Sequence, residues 1–222
     1  MLFDSLLKTS LFALFILFAT YLMLQITLPY TSGQLDIDFL LTKQHIIHLK
    51  HYRFAFYWHI FSSLFVLLAG AVQFSRHFLR AWPNLHRWIG RGYVFIILCI
   101  SGPSAMVMSF YGNGGWNARI SFILLTSLWW WFTWMAYQSA RKGNIATHGA
   151  FMLRSYALTL SAITLRIYQF LLGSYFLLDP VFQYRLVAWS SWLINLLLAE
   201  VLIRWWRGKG RSQMTEDRSQ IG

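Results

Sequence analysis

The chain is short of nearly everything a soluble enzyme uses. Of 222 residues, seven are acidic, four are proline and one is cysteine. A lone cysteine, Cys99, excludes an intrachain disulfide and any CxxC site, and its place inside an apolar run predicts a small buried hydrophobe. Of the acidic residues only Glu200 falls in an apolar run, so neither paired-carboxylate hydrolysis nor a carboxylate relay for proton pumping is available. There is no H-E-x-x-H, no G-x-S-x-G and no Walker loop. Charged residues make up 12% of the chain, where a soluble domain carries about 25%.

Long apolar runs fill the space left by these absences. The chain is 57% hydrophobic and 19% aromatic. Six runs are long enough to cross about 30 Å of hydrocarbon at about 1.5 Å per helical residue: Ser10–Leu28, Phe54–Phe74, Trp88–Phe110, Ile120–Tyr137, Ala150–Leu172 and Leu186–Trp206. Only helices or closed barrels span a bilayer, and these runs are too long and continuous for barrel strands. The sequence therefore predicts an all-α polytopic membrane protein, a bundle of six transmembrane helices in one domain, 1–222. Its core helices lie at about 54–172, its first and last helices are peripheral, and 208–222 forms a polar, disordered tail. The first run ends in Pro29-Tyr30-Thr31 without a small-residue cleavage site, so it reads as a retained helix rather than a signal peptide.

The formal charge of +12 sits at the ends of the runs rather than in one patch, which argues for topology and against a nucleic-acid partner. One side holds Lys8, Arg76, Arg80, Arg87, Arg91, Arg141, Lys142, Arg154, Arg204, Arg207, Lys209, Arg211 and Arg218. The other holds only Lys43, Lys50, Arg53, Arg119 and Arg185. The positive-inside rule then places both termini in the cytoplasm, in an inner membrane. Trp82, Trp88, Trp116, Trp205 and Trp206 fall near the predicted boundaries, as interfacial anchors do. Ser101-Gly102-Pro103-Ser104 predicts a mid-span kink. Glu200 and Arg204, at i,i+4, predict a salt bridge, and Asn195 a bond across helices. His45, His48 and His51 share a face of the segment 31–53, a pattern open to a transition metal or to a plain amphipathic surface; His77 reads as a solvated or headgroup-facing residue.

Ionisable residues within spans mark candidate sites. Helical positions advance about 100° per residue, so His148, Met152, Ser155, Thr159, Ala162 and Arg166 form one stripe. His59, Ser63, Val66, Gly70 and Gln73 form another, and His86, Gly90, Tyr93 and Ile97 a third. These stripes are small and weakly polar, so they face the bundle interior. Two layers result. The inner layer joins His86, His148, Gln73 and Arg91 or Arg154; there His86 and His148 are the candidate axial ligands of a b-type haem, Gly90 lets a flat ligand approach, and Arg154 offers a partner for propionates. The outer layer joins His59 and Arg166, with His48 a further member, as a substrate site for a quinone or a small anion.

The pattern His59…Gln73…Leu85-His86-Arg87-x-x-Gly90-Arg91-x-Tyr93, then Gly114-Gly115, then His148-x-x-x-Met152-x-Arg154-Ser155-Tyr156-Ala157-Leu158, then Arg166, resembles the bacterial membrane family called domain of unknown function 2306. The resemblance covers roughly Phe54 to Leu172 and implies a small multi-helix inner-membrane protein. A looser similarity to haem-binding bundles of the cytochrome b561 type implies haem held between histidines on neighbouring helices. The leading expectation is a haem b electron-transfer or redox-accessory protein with a quinone or redox-protein partner. The alternatives are a transporter of an anionic or amphiphilic solute and a non-catalytic assembly factor of a respiratory complex.

Overall fold

Each apolar run folds as a helix, and the breaks fall where the sequence carries a stop signal. The computed structural model describes residues 2–219. For residues 2–9, 12, 76, 77 and 209–219 only the backbone is described, so the readings made for Lys8, Arg76, His77, Lys209, Arg211 and Arg218 lie outside the described residues. Helix α1 (Leu2–Thr27) ends in a 3₁₀ turn, Leu28–Ser32, that carries Pro29, and the short α2 (Asp38–Leu41) follows. Helix α3 spans Lys50–Gln73 and α4 Arg76–Ala81, the latter opened by Ser75, whose Oγ accepts the Phe78 N–H at 3.2 Å. Pro83 starts α5 (Pro83–Ile96), where a missing N–H costs nothing. A π turn, Ile97–Ser101, leads into α6 (Gly102–Phe110). Gly114, at φ 82°, makes the tight turn into α7 (Gly115–Arg141). Asn144 Oδ1 caps α8 (Ile145–Tyr175) through the Thr147 N–H at 3.1 Å, and Pro180 opens α9 (Pro180–Ser219).

With α5, the π turn and α6 counted as one crossing, six segments are long and apolar enough to span a membrane: Ala13–Ser32, Lys50–Gln73, Pro83–Phe110, Gly115–Arg141, Ile145–Tyr175 and Pro180–Gly208. This is the all-α, six-span architecture expected. Six crossings put the two termini at one end of the bundle; the opposite end, which carries the segment 33–49 and the turn before α7, is called distal below. The mid-span break is a π turn rather than a simple proline kink. A Cβ at Gly102 would lie 2.5 Å from Ile97 O and 2.9 Å from the Trp130 ring, so the turn requires glycine there. Trp130 Nε1 donates to Leu98 O at 3.0 Å within the turn. Cys99 is exposed on the outside of this turn, not buried as its apolar surroundings suggested.

The centre is packed by Val66, Tyr93, Ile97, Trp129, Met152, Tyr156 and Trp192, with small hydroxyl residues between them. Tyr93 Oη lies 2.9 Å from Ser155 Oγ and 3.3 Å from Thr159 Oγ1, Thr133 Oγ1 lies 2.7 Å from Ser155 Oγ, and Trp129 Nε1 donates to Thr159 Oγ1 at 3.1 Å. Four hydroxyls and an indole thus satisfy one another where lipid and protein offer no water.

Two expectations about α9 are corrected. It is not peripheral: Val187, Ala188, Trp192, Ala199 and Ile203 are buried, Trp192 Nε1 donates to Ser121 Oγ at 2.9 Å, and Asn195 Nδ2 donates to Ala157 O and Thr164 Oγ1. Its backbone also stays helical through 208–219, where an irregular tail was expected; no proline interrupts it. Glu200 does not pair with Arg204, which is exposed. It pairs across to Arg154 of α8 with two bonds, 2.5 and 2.9 Å, and the guanidinium sits 5.8 and 5.1 Å from the Phe132 and Phe151 rings. A planar fork matches both carboxylate oxygens, which a neighbour on the same helix does less well. Helix α1 exposes Leu11, Leu14, Leu17 and Phe18 and buries Ile16 and Ala19 against the bundle.

Breaking this pair from one side strands a half-buried charge. Glu200→Leu or Arg154→Leu alone is expected to lower the melting temperature more than the double variant Arg154→Leu/Glu200→Leu does. Thermal melts of the three in one detergent check this; additive single effects would refute the coupling.

Candidate functional site

A cavity of about 230 Å³ lies in the distal half of the bundle. It runs along α3 from Tyr52 to Ser63, about 16 Å at about 1.5 Å per residue. His59 and Arg166, assigned to one layer from the sequence, both line it. Most of the wall is apolar, from Met23 on α1 through Leu64 and Leu67 to Leu158 and Ile163, and among the described residues no carboxylate lines it.

Arg166 reaches the cavity from α8, about two and a half turns before that helix ends. Its Nη1 donates to Ala162 O at 3.0 Å, one turn back on its own helix. Among the described residues it has no other hydrogen bond and no carboxylate partner; its charged or polar neighbours are His59, Tyr30 and Tyr184. His59 is held in one tautomer. Its Nδ1 lies 3.2 Å from Ser101 O, a carbonyl that can only accept, so Nδ1 carries the proton and Nε2 keeps its lone pair. Ser101 is the last residue of the π turn, so the break in the third crossing is what presents this carbonyl to α3. Ser62 Oγ also hydrogen-bonds Ser101 Oγ, tying α3 to the turn a second time. The base of the cavity carries Ser63, Thr159 and Trp129, the last two belonging to the hydroxyl network described above.

The segment 33–49 caps the distal end. It packs Leu40, Ile46 and Ile47 onto Tyr30, Tyr52 and Phe56. Between them lies Lys43, 1% exposed, which sequence reasoning took for an ordinary loop cation. Its spacing carried a signal: Leu40, Lys43, Ile46 and Ile47 fall at helical i, i+3, i+6 and i+7, which puts the lysine on the apolar face. Lys43 Nζ donates to Tyr111 O and Asn113 Oδ1, both at 2.5 Å, and Asn113 Nδ2 donates to Thr42 Oγ1 at 3.0 Å. It too lines the cavity. Burial, with the Arg119 guanidinium second, brings its ammonium down to about 8. Tyr52, also on the wall, has a buried hydroxyl with no partner among the described residues. His45, His48 and His51 are exposed, so His48 does not join His59; His51 Nε2 lies 2.7 Å from Tyr111 Oη, and no three potential metal ligands converge among the described residues.

The inner layer assembles in part. Gln73 Nε2 donates to His86 O at 3.3 Å, and His148 is within electrostatic reach of His86. His148 Nδ1 lies 2.9 Å from Ala136 O, and His86 Nδ1 is buried without a partner. The residues do not fit a haem. A Cβ at Gly90 would already lie 3.0 Å from Gln73 Oε1, so the Gln73 amide occupies the space that the glycine leaves open. Arg154, expected to hold a propionate, is taken by Glu200, and the large cavity is lined by neither His86 nor His148.

Lys43 gives the site an alkaline signature. Between about pH 8 and the ordinary lysine range of about 10.4, the unfolded chain holds a proton that the folded chain has released, so stability from this group rises with pH through that window. Melting curves from pH 7.5 to 10 should show this rise in the parent protein relative to Lys43→Met; parallel curves would contradict it.

No curated protein and no solved structure matches the chain. The family model described as Predicted membrane protein (DUF2306) matches residues 56–203, from the helix that carries His59 to the inner half of α9, including Arg166, Glu200 and the π turn. The match reaches past the core helices expected from the sequence and takes in the last helix, in accord with its packing. This chain belongs to the DUF2306 family of predicted membrane proteins.

Proposed function

We propose that this protein binds, and carries across or within its membrane, a small amphiphile with an acidic head. The head pairs with Arg166 and lies beside His59 Nε2, and the apolar body lies against the Leu64, Leu67 and Ile163 wall. The observation that carries the reading is the charge of Arg166, which faces a cavity without a carboxylate and is left with one backbone carbonyl. An uncompensated cation in a low-dielectric interior is costly, and an anionic ligand removes that cost. The apolar wall argues for an amphiphile over a fully hydrated ion. The π turn, bonded to His59 through Ser101, is the element whose rearrangement would register an occupied site. A haem-based electron-transfer role has no comparable support.

The reading is tested by titrating the purified protein, in a non-ionic detergent, with an alkyl carboxylate and with the alcohol of the same chain length, following the fluorescence of tryptophans such as Trp129. The acid should bind at least about tenfold more tightly than the alcohol, the scale of one charge-assisted contact of about 1.4 kcal/mol or more. Arg166→Gln should abolish the difference, and His59→Leu should reduce it. Equal affinity for acid and alcohol, or an unchanged preference in Arg166→Gln, would overturn the proposal and return a neutral head such as a quinone to first place.

A further inference from the structure

The cavity holds a second cation. Lys43 enters from the cap at one end and Arg166 from α8, and among the described residues the wall carries no Asp or Glu. An ammonium has three N–H bonds; two of those on Lys43 go to Tyr111 O and Asn113 Oδ1, both uncharged, so its charge is hydrogen-bonded but not neutralised. Among the described residues no Asp or Glu forms an ion pair with Lys43, and the charged group acting on it is Arg119, another cation. The site as built therefore holds two positive charges and no negative one.

We infer that the ligand's head is doubly negative, a phosphate monoester rather than a carboxylate, and that Lys43 is the residue that sets this preference. This rests on the reading of the cavity as an acidic-head site. The argument is one of charge balance in a medium of low dielectric. A carboxylate neutralises one of the two cations and leaves the other uncompensated, whereas a phosphate monoester, carrying about −1.5 to −2 at neutral pH, neutralises both, and the benefit extends beyond direct contact. The unpartnered Tyr52 hydroxyl, on the same wall, adds a donor for a head with three terminal oxygens. An amphiphile's head and free inorganic phosphate share this chemistry; the apolar wall favours the amphiphile.

The preference should be lost when Lys43 loses its proton. Lys43 is brought to about 8, so raising the pH from 7 to 9.5 discharges it while a phosphate monoester stays dianionic and a carboxylate stays monoanionic. The other groups around it are Arg119 from α7, Tyr111 and Asn113 from the turn, Tyr52 from α3 and Tyr184 from α9, with His51 bonded to Tyr111.

The experiment compares octyl phosphate, octanoate and inorganic phosphate on the full-length protein in non-ionic detergent, at pH 7 and pH 9.5, for the parent, Lys43→Gln, Lys43→Arg and Arg166→Gln. At pH 7 octyl phosphate should bind about tenfold more tightly than octanoate, and inorganic phosphate weakest. Lys43→Gln should remove that preference at pH 7, weakening octyl phosphate about tenfold more than it weakens octanoate, and pH 9.5 should remove it from the parent. Lys43→Arg, which holds its charge at both pH values, should retain the preference at both and so separates charge from any disturbance of the cap. If octyl phosphate and octanoate bind the parent equally, and both depend on Arg166, the acidic-head reading stands and this inference fails. If neither binds, both fail. If inorganic phosphate binds as tightly as octyl phosphate, the dianion stands and the amphiphile fails.

Discussion

A guanidinium inside a helical bundle needs a counter-charge, a network of acceptors, or a ligand. Arg166 has the first from none of the described residues and the second only from Ala162 O. Everything around it is arranged so that the charge stays inside. Helix α8 continues for nine residues beyond it, the cap closes the distal end, and the cavity gives the head group space instead of a partner. In a membrane the alternative for a long basic side chain is to snorkel to the surface; here Arg166 Nη1 instead bonds Ala162 O, one turn back along its own helix. The cost of the arrangement is what makes an anionic ligand bind.

The rest of the bundle serves to hold that cavity open at one depth and dry below it. The hydroxyl network of Tyr93, Ser155, Thr133 and Thr159 closes its base without leaving a polar group unmet, and Met152 and Ala136 pack beneath. The π turn is the second device. It hands Ser101 O to His59, fixing which imidazole nitrogen faces the cavity, and it is tolerated because Gly102 has no Cβ and Trp130 meets a carbonyl of the turn. Helix α9, locked to α8 by the Arg154–Glu200 pair and to α7 by Trp192 and Ser121, supplies Tyr184 to the cavity wall. The family match, residues 56–203, takes in all of these contacts.

Six spans were legible in the apolar runs, and the pairing of His59 with Arg166 was legible in helical arithmetic, because both depend on periodicity along one chain segment. Three things were not. The partner of Glu200 lies on another helix, and local spacing favours Arg204, so only packing could reveal Arg154. The space beside Gly90 looked open because a stripe shows which residues share a face, not that Gln73 from α3 fills it. Lys43 was counted as a loop charge for topology, although its spacing from Leu40 and Ile47 already placed it on an apolar face. In the first two cases the missing information was which side chains meet between helices, which a single sequence does not contain; for Lys43 the periodicity held the signal and the charge count passed over it.

The central claim is that Arg166 is neutralised by a bound acidic amphiphile. The direct measurement is to purify the protein from its membrane, extract the bound material into organic solvent and record its negative-ion mass spectrum beside that of Arg166→Gln. The account predicts an acidic amphiphile near one equivalent per chain in the parent and its loss from the variant. Material of the same identity and amount in both, with Arg166→Gln folded and equally stable, would contradict it.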